Sequence, residues 1–127
     1  MRVVDTSAWI EWVIASAVGR AIVPMLPPLD QWVVPTVVQY ELAKWESKLL
    51  EDPDAGPTIV AFSRNCLVVP LTTGLALEAA SVGRQHGLAA ADAIIYATAQ
   101  QFGADIVTCD AHFRGLAGIV YFEKSRQ

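Results

Sequence analysis

An α/β fold is expected for this chain: one domain over residues 1–127, with a mostly parallel central sheet and helices on both faces. Three observations lead there. Short apolar runs of strand length alternate with longer segments of helical periodicity. The 127 residues are enough for one domain with a proper core. Two of the apolar runs, "VVD" and "DIVTCD", end in an aspartate, Asp5 and Asp110. In parallel sheets ligands bind beyond the carboxyl ends of the strands, so both carboxylates belong on one rim.

The elements follow in order. Val3 to Asp5 reads as a short buried strand. "TSAWIEWVIASAVGRAIV" reads as a helix with Trp9, Val13 and Ala17 on one face. Pro24 to Gln31 is a break containing three prolines, and "WVVP" is the next strand. Thr36 stands three residues before Gln39, a capping-box spacing, ahead of the apolar stripe Val38, Leu42, Trp45 and Leu49. Glu51 to Pro57 reads as a loop, followed by a helix to about Asn65 and a strand from Leu67 to Leu71. Thr73 to Gln85 is helical, and Gly87 breaks it. A second helix runs from near Leu88 to Phe102, with Gly103 as its C-terminal cap. Asp105 to Asp110 and Gly118 to Phe122 complete the strands. No internal repeat and no low-complexity linker interrupts the pattern.

Composition narrows the function classes. Hydrophobic residues make up 54% and charged residues 17%. Some apolar surface is therefore open to cover by a partner or second copy, although a tightly packed α/β domain has similar figures. The net charge of −4 argues against nucleic-acid binding by bulk charge, unless metal ions reverse the sign locally. Cys66 and Cys109 lie far apart with no metal-ligand spacing, so a reduced, cytoplasmic setting is expected. Asp5 stands where a secretory leader would be apolar, and no run is long and apolar enough to span a membrane.

Four acids stand out against apolar neighbours. Asp92 is the only charge between Gly87 and Ala104. Its simplest reading is helix-dipole stabilisation, worth about 0.3–1 kcal/mol in a first turn. Glu41 borders the apolar stripe, and a surface pair with Lys44 would account for it at about 0.2–0.5 kcal/mol. Asp5 fits a cap for a helix starting at Ser7, and Asp110 fits a turn. Taken together, carboxylates converging on one rim need a compensating charge or must hold protons. Oxygen ligands favour Mg²⁺ or Mn²⁺, which polarise phosphoryl oxygens and lower the pKa of bound water. Ser7 and Thr108 each lie two residues from an acid, placed to orient a carboxylate or metal-bound water. For Ser7 an ordinary helix cap is an equal alternative.

Four segments carry a resemblance: "VVDTSAWIEW", "PTVVQYELAKW", "LAAADAIIYATA" and "IVTCDAHF". In this order, over nearly the whole chain, they resemble the signature segments of PIN-domain ribonucleases, and more closely the VapC toxins of VapBC toxin–antitoxin pairs. The resemblance implies a metal-dependent endoribonuclease using Mg²⁺ or Mn²⁺, with its acids at Asp5, Glu41, Asp92 and Asp110. Asp5 and Asp92 would be the principal metal ligands, with Asp110 completing the site. Glu41 would hold a second metal or position the attacking water. The products would carry a 5′-phosphate and a 3′-hydroxyl, and the substrate would be RNA, often structured RNA such as tRNA. A VapB-type antitoxin and a homodimer are the implied partners, forming a heterotetramer or larger with the antitoxin.

RNA must also meet positive charge. Lys44, Lys48, Arg84, His86, His112 and Arg114 lie near the acid-bearing segments. For His112 a solvent-exposed turn is favoured over contact with a substrate phosphate. Trp9, Trp12 and Trp45 are expected in the core or against a partner rather than under a base, and Cys109 as a small buried hydrophobe. The prolines from Pro24 to Pro28 interrupt a region that is often helical in the family. Rival readings fare less well. A haloacid-dehalogenase-type phosphatase normally needs a D-x-D pair, and "DTS" lacks the second acid. A response-regulator receiver needs adjacent acids near the N-terminus, which are missing. The non-enzyme alternative is a catalytically inactive RNA-binding or interaction module on a PIN-like scaffold, but all four acids are present.

Overall fold

Valine and isoleucine at positions 3, 4, 33, 34, 106 and 107 are 0–1% exposed, the burial of strands covered on both faces. The computed structural model describes residues 1–54 and 57–124. Five strands form one parallel sheet: β1 (Arg2–Val4), β2 (Trp32–Pro35), β3 (Leu67–Val69), β4 (Asp105–Thr108) and β5 (Ile119–Tyr121). Their order is β3-β2-β1-β4-β5. Among the described residues six α-helices flank it: α1 (Thr6–Val13), α2 (Ala17–Ile22), α3 (Thr36–Leu49), α4 (Pro57–Ser63), α5 (Thr73–His86) and α6 (Ala90–Gln101).

The chain leaves β1 toward β2 and leaves β4 toward β5, in opposite directions across the sheet. Right-handed crossovers then put α1–α4 on one face and α5–α6 on the other. The reversal creates a switch point between β1 and β4, where parallel α/β sheets open a crevice at their carboxyl ends. At the other end of these strands Arg2 Nε lies 3.1 Å from Asp105 Oδ1. On one face Trp9 packs edge-on against Trp12, Trp32 and Phe62, with Trp9 and Trp32 centroids 5.0 Å apart. The core reading of Trp9 holds, and Trp12 is half-buried in the same cluster.

Several local expectations are overturned. The first long helix is two helices bent by 109°. Ala15 turns the chain at φ +53°, and Ser16 Oγ caps α2 by accepting from Gly19 N at 2.9 Å. Gly19 packs so tightly on α1 that a Cβ would lie 2.0 Å from the Glu11 carbonyl oxygen. Val13 and Ala17 are consequently exposed rather than aligned with Trp9. The Thr36–Gln39 capping box does not form, since Pro35 is the N-cap of α3. Thr36 Oγ1 instead accepts from Leu71 N, and Gln39 Nε2 donates to Ser63 Oγ. In the apolar stripe Leu49 is 59% exposed.

Strand ends shift for identifiable reasons. β3 stops at Val69 because Pro70 offers no N–H to a ladder. β4 stops at Thr108 because the next two N–H groups bond hydroxyls, Cys109 N to Ser7 Oγ and Asp110 N to Thr108 Oγ1. Helix α6 starts at Ala90, not Leu88, because Leu88 N closes the end of α5 on the Gly83 carbonyl, past Gly87 at φ +67°. Of the loop expected from Glu51 to Pro57, residues 55–56 lie outside the described residues. Among the described residues no single helix is long and apolar enough to cross a membrane.

Candidate metal centre

Asp5 leaves β1 as the N-cap of α1, yet its side chain makes no capping bond. Instead Oδ2 accepts from Ser7 Oγ at 2.8 Å and from Thr108 Oγ1 at 2.7 Å. Each hydroxyl has a backbone N–H donated to it from the turn after β4, at 2.9 Å in both cases. The two hydroxyls lie 3.3 Å apart, and both have the shorter contact to the carboxylate as the place for their protons. The cap readings of Asp5 and Ser7 give way to a clamp that ties β1 to the end of β4. Asp5 is 3% exposed. Burial pushes its pKa up to about 6, against the lowering effect of Thr108, Ser7 and the Thr6 N–H, while Asp110 pushes it further up.

Asp92 sits in the first turn of α6, directly after the α5–α6 turn. The dipole reading explains its place along the helix, but its carboxylate faces other groups. Asp92 Oδ2 lies 3.5 Å from His112 Nδ1. Burial raises its pKa, Asp110 and Glu41 raise it further, and His112 opposes them. Asp110 follows β4 and caps a short 3₁₀ turn (Ala111–Phe113), its Oδ1 accepting from His112 N at 2.9 Å. The turn reading of Asp110 therefore holds alongside any other role. The turn aims His112 Nδ1 at Asp110 Oδ1, 3.2 Å away.

Ligand atoms of Asp92, Asp110 and His112 all lie within 4.8 Å of one another. Asp5 stands outside this tight group and feels Asp110 electrostatically. Glu41, on α3, pairs with Thr6 rather than with Lys44: Thr6 Oγ1 donates to Oε1 at 2.7 Å. The sequence-nominated acids are thus brought to one rim, with Ser7 and Thr108 bonded to Asp5. Sequence reasoning passed over Thr6, although it directly follows Asp5, and ranked His112 below an exposed turn. His112 is both exposed, at 77%, and the third member of the group. Among the described residues no lysine or arginine pairs with these four acids. Asp5 and Asp92, raised first by burial and further by neighbouring acids, with no lysine or arginine paired to them, fit a bound hard cation.

The basic candidates divide. Lys44 and Lys48 line a cleft of about 300 Å³ with Thr6, Tyr40, Glu41 and Trp45. Arg84 borders an apolar groove between α5 and α6, and His86 packs on Tyr96. Arg114 lies over the Tyr121 ring at 5.1 Å. Cys109 is buried as a small hydrophobe, and burial pushes its thiol up to about 11.

Fold and site together define a parallel α/β domain with an acidic cleft at its switch point. The chain belongs to the PIN domain family, whose model matches residues 2–119. Among solved structures it resembles a toxin–antitoxin complex from Klebsiella pneumoniae, with TM-score 0.79, 19% identity, and 94% of this chain and 96% of that one covered. It also resembles DNA-bound VapBC from Salmonella typhimurium, with TM-score 0.69, 17% identity, and 96% and 98% covered. FitAcB from Neisseria gonorrhoeae is similar too, with TM-score 0.66, 20% identity, and 97% of each chain covered. At these identities the likeness is one of fold. No curated protein matches the sequence.

Proposed function

We propose that this chain is the toxin of a toxin–antitoxin pair and a Mg²⁺- or Mn²⁺-dependent endoribonuclease. The observation that carries the reading is the gathering of Asp92, Asp110 and His112 within 4.8 Å at the switch point of a PIN domain. Asp92 and Asp110 would hold the cation, with Asp5 beside Asp110. The cation, when bound, supplies Lewis acidity toward a phosphoryl oxygen and a more acidic water. Carboxylates and water suit Mg²⁺ and Mn²⁺ alike, so the donor set leaves both metals open. Glu41 is held at Oε1 by Thr6, and its other oxygen is left to position a water and accept its proton. Ser7 and Thr108 fix the orientation of Asp5 and favour its ionised form. The phosphodiester opens to a 5′-phosphate and a 3′-hydroxyl, with no covalent enzyme intermediate.

The resemblance to VapC toxins supports structured RNA such as tRNA as substrate, a VapB-type antitoxin as partner, and a cytoplasmic homodimer. Toxin–antitoxin complexes among the structural neighbours support the antitoxin. Val13, Ile14 and Val23 are 43–51% exposed around the α1–α2 corner, apolar surface suited to a partner. Induced expression without an antitoxin tests the reading. Growth arrest by the wild type and its relief by Asp5→Asn or Asp92→Asn are expected. Equal arrest by the variants would sink the nuclease in favour of the non-catalytic module.

A further inference from the structure

We infer that the cleft along α3 is a binding subsite for single-stranded RNA beside the scissile phosphate, with Tyr40 and Trp45 as stacking surfaces and Lys44 and Lys48 as phosphate contacts. The inference rests on the ribonuclease reading and adds where, and how, the strand runs.

The cleft is open, about 300 Å³, and lined by Thr6, Tyr40, Glu41, Lys44, Trp45 and Lys48. It adjoins the acidic site through two of its lining residues: Thr6 follows Asp5 in the chain and donates to Glu41. Charge changes sign along the helix. Glu41 faces the other acids and helps raise Asp92, whereas Lys44 and Lys48 are exposed and pair with no acid among the described residues. Those two lysines are four residues apart, so they sit roughly 6 Å apart along the helix axis. That is close to the step between successive phosphates of an extended strand.

The aromatic residues fit the same occupant. Tyr40 is 63% exposed, one of the most exposed large apolar residues in the chain, and Trp45 is half-buried with one side on the cleft. Aromatic rings interleaved with lysines are how single strands are held without base-specific hydrogen bonds. In an acidic protein, Lys44 and Lys48 share a cleft with Glu41 and form no ion pair with it among the described residues. Trp45 packs against the core, as its sequence suggests, and lends its remaining side to the cleft.

The test uses the full chain and a fluorescein-labelled uridine dodecamer in millimolar Ca²⁺, read by anisotropy across a salt series. Lys44→Gln/Lys48→Gln should lower affinity and flatten the log–log salt slope by about 1.4, two phosphate contacts on a single strand. Tyr40→Ala should lower affinity roughly 5- to 140-fold with the slope unchanged. A merely structural role would move neither slope nor affinity in this split pattern. Unchanged affinity and slope in the lysine variant, with wild-type cleavage of RNA in Mn²⁺ intact, would overturn the subsite alone. Failure of the wild type both to bind and to cut RNA would overturn the subsite together with the ribonuclease reading. Loss of antitoxin binding in these variants with RNA binding unchanged would assign the cleft to a protein partner and overturn the inference.

Discussion

Thr108 Oγ1 donates to Asp5 Oδ2 over 2.7 Å and joins residues 103 apart in the chain. The same oxygen accepts from Asp110 N. One hydroxyl thus orients one acid by its proton and the backbone of a second by its lone pair. Thr108→Val removes both contacts while keeping the shape. The variant should lose about 1–3 kcal/mol of stability at pH 7.5, measured by urea unfolding. The loss should be smaller at pH 5, where Asp5 is largely protonated and its charge needs no donor. Equal losses at both values would contradict a charge-orienting role.

Burial raises the Asp5 pKa from 3.8 to about 6 in the metal-free chain. The folded state therefore holds this proton more tightly than the unfolded state. The stability it contributes is present below the ordinary carboxylate pKa and is lost as pH rises through about 6. Asp5→Asn removes the titration. In EDTA, the variant should gain on the wild type by on the order of 2–3 kcal/mol between pH 4 and pH 7.5. A pH-independent gap would show that Asp5 is not buried as a lone acid.

Protons and metal compete for the same oxygens. With Asp5 at about 6, Mn²⁺ affinity should fall about tenfold as pH is lowered from 7 to 5, and further as the raised Asp92 takes up its proton. Saturating Mn²⁺ at about a hundred times its Kd should stabilise the chain by about 2.7 kcal/mol. Calorimetric titration and thermal melts at the two pH values check both. A melting temperature indifferent to Mn²⁺ at pH 7 would count against the site.

The α1–α2 corner makes a prediction independent of function. Gly19→Ala places a methyl 2.0 Å from the Glu11 carbonyl oxygen, a backbone atom that cannot step aside. The variant should lose roughly 3 kcal/mol or fail to fold, at the upper end of overpacking costs. A wild-type melting temperature would refute the close approach of the helices.

Much of this was legible in the sequence, and several of the failures share a cause. Strand and helix order followed from the alternation of apolar runs, and burial on both faces explains why Val3–Val4, Val33–Val34 and Ile106–Val107 read as unbroken. Asp5 and Asp110 could be placed on one rim because both follow such runs. Backbone turns misplaced the α1–α2 break and the start of α6; other errors fell where a polar side chain had a choice of partners. Thr36 and Gln39 have capping-box spacing, but their partners Leu71 and Ser63 come from elements 35 and 24 residues away. Ser7 looked like a cap because local spacing cannot show Thr108 and Cys109 arriving from the far end of the chain. His112 was ambiguous because exposure and proximity to the acids are compatible, and only the 3₁₀ turn after Asp110 brings them together.

On the proposed reading, the acids of this PIN domain hydrolyse RNA with a divalent cation. The most direct measurement is incubation of total cellular RNA with the purified chain, freed of any partner, in Mg²⁺ or Mn²⁺, beside Asp92→Asn. Discrete fragments bearing 5′-phosphates, from the wild type alone and abolished by EDTA, are predicted. Intact RNA with the wild type, or the same fragments from Asp92→Asn, would contradict the account.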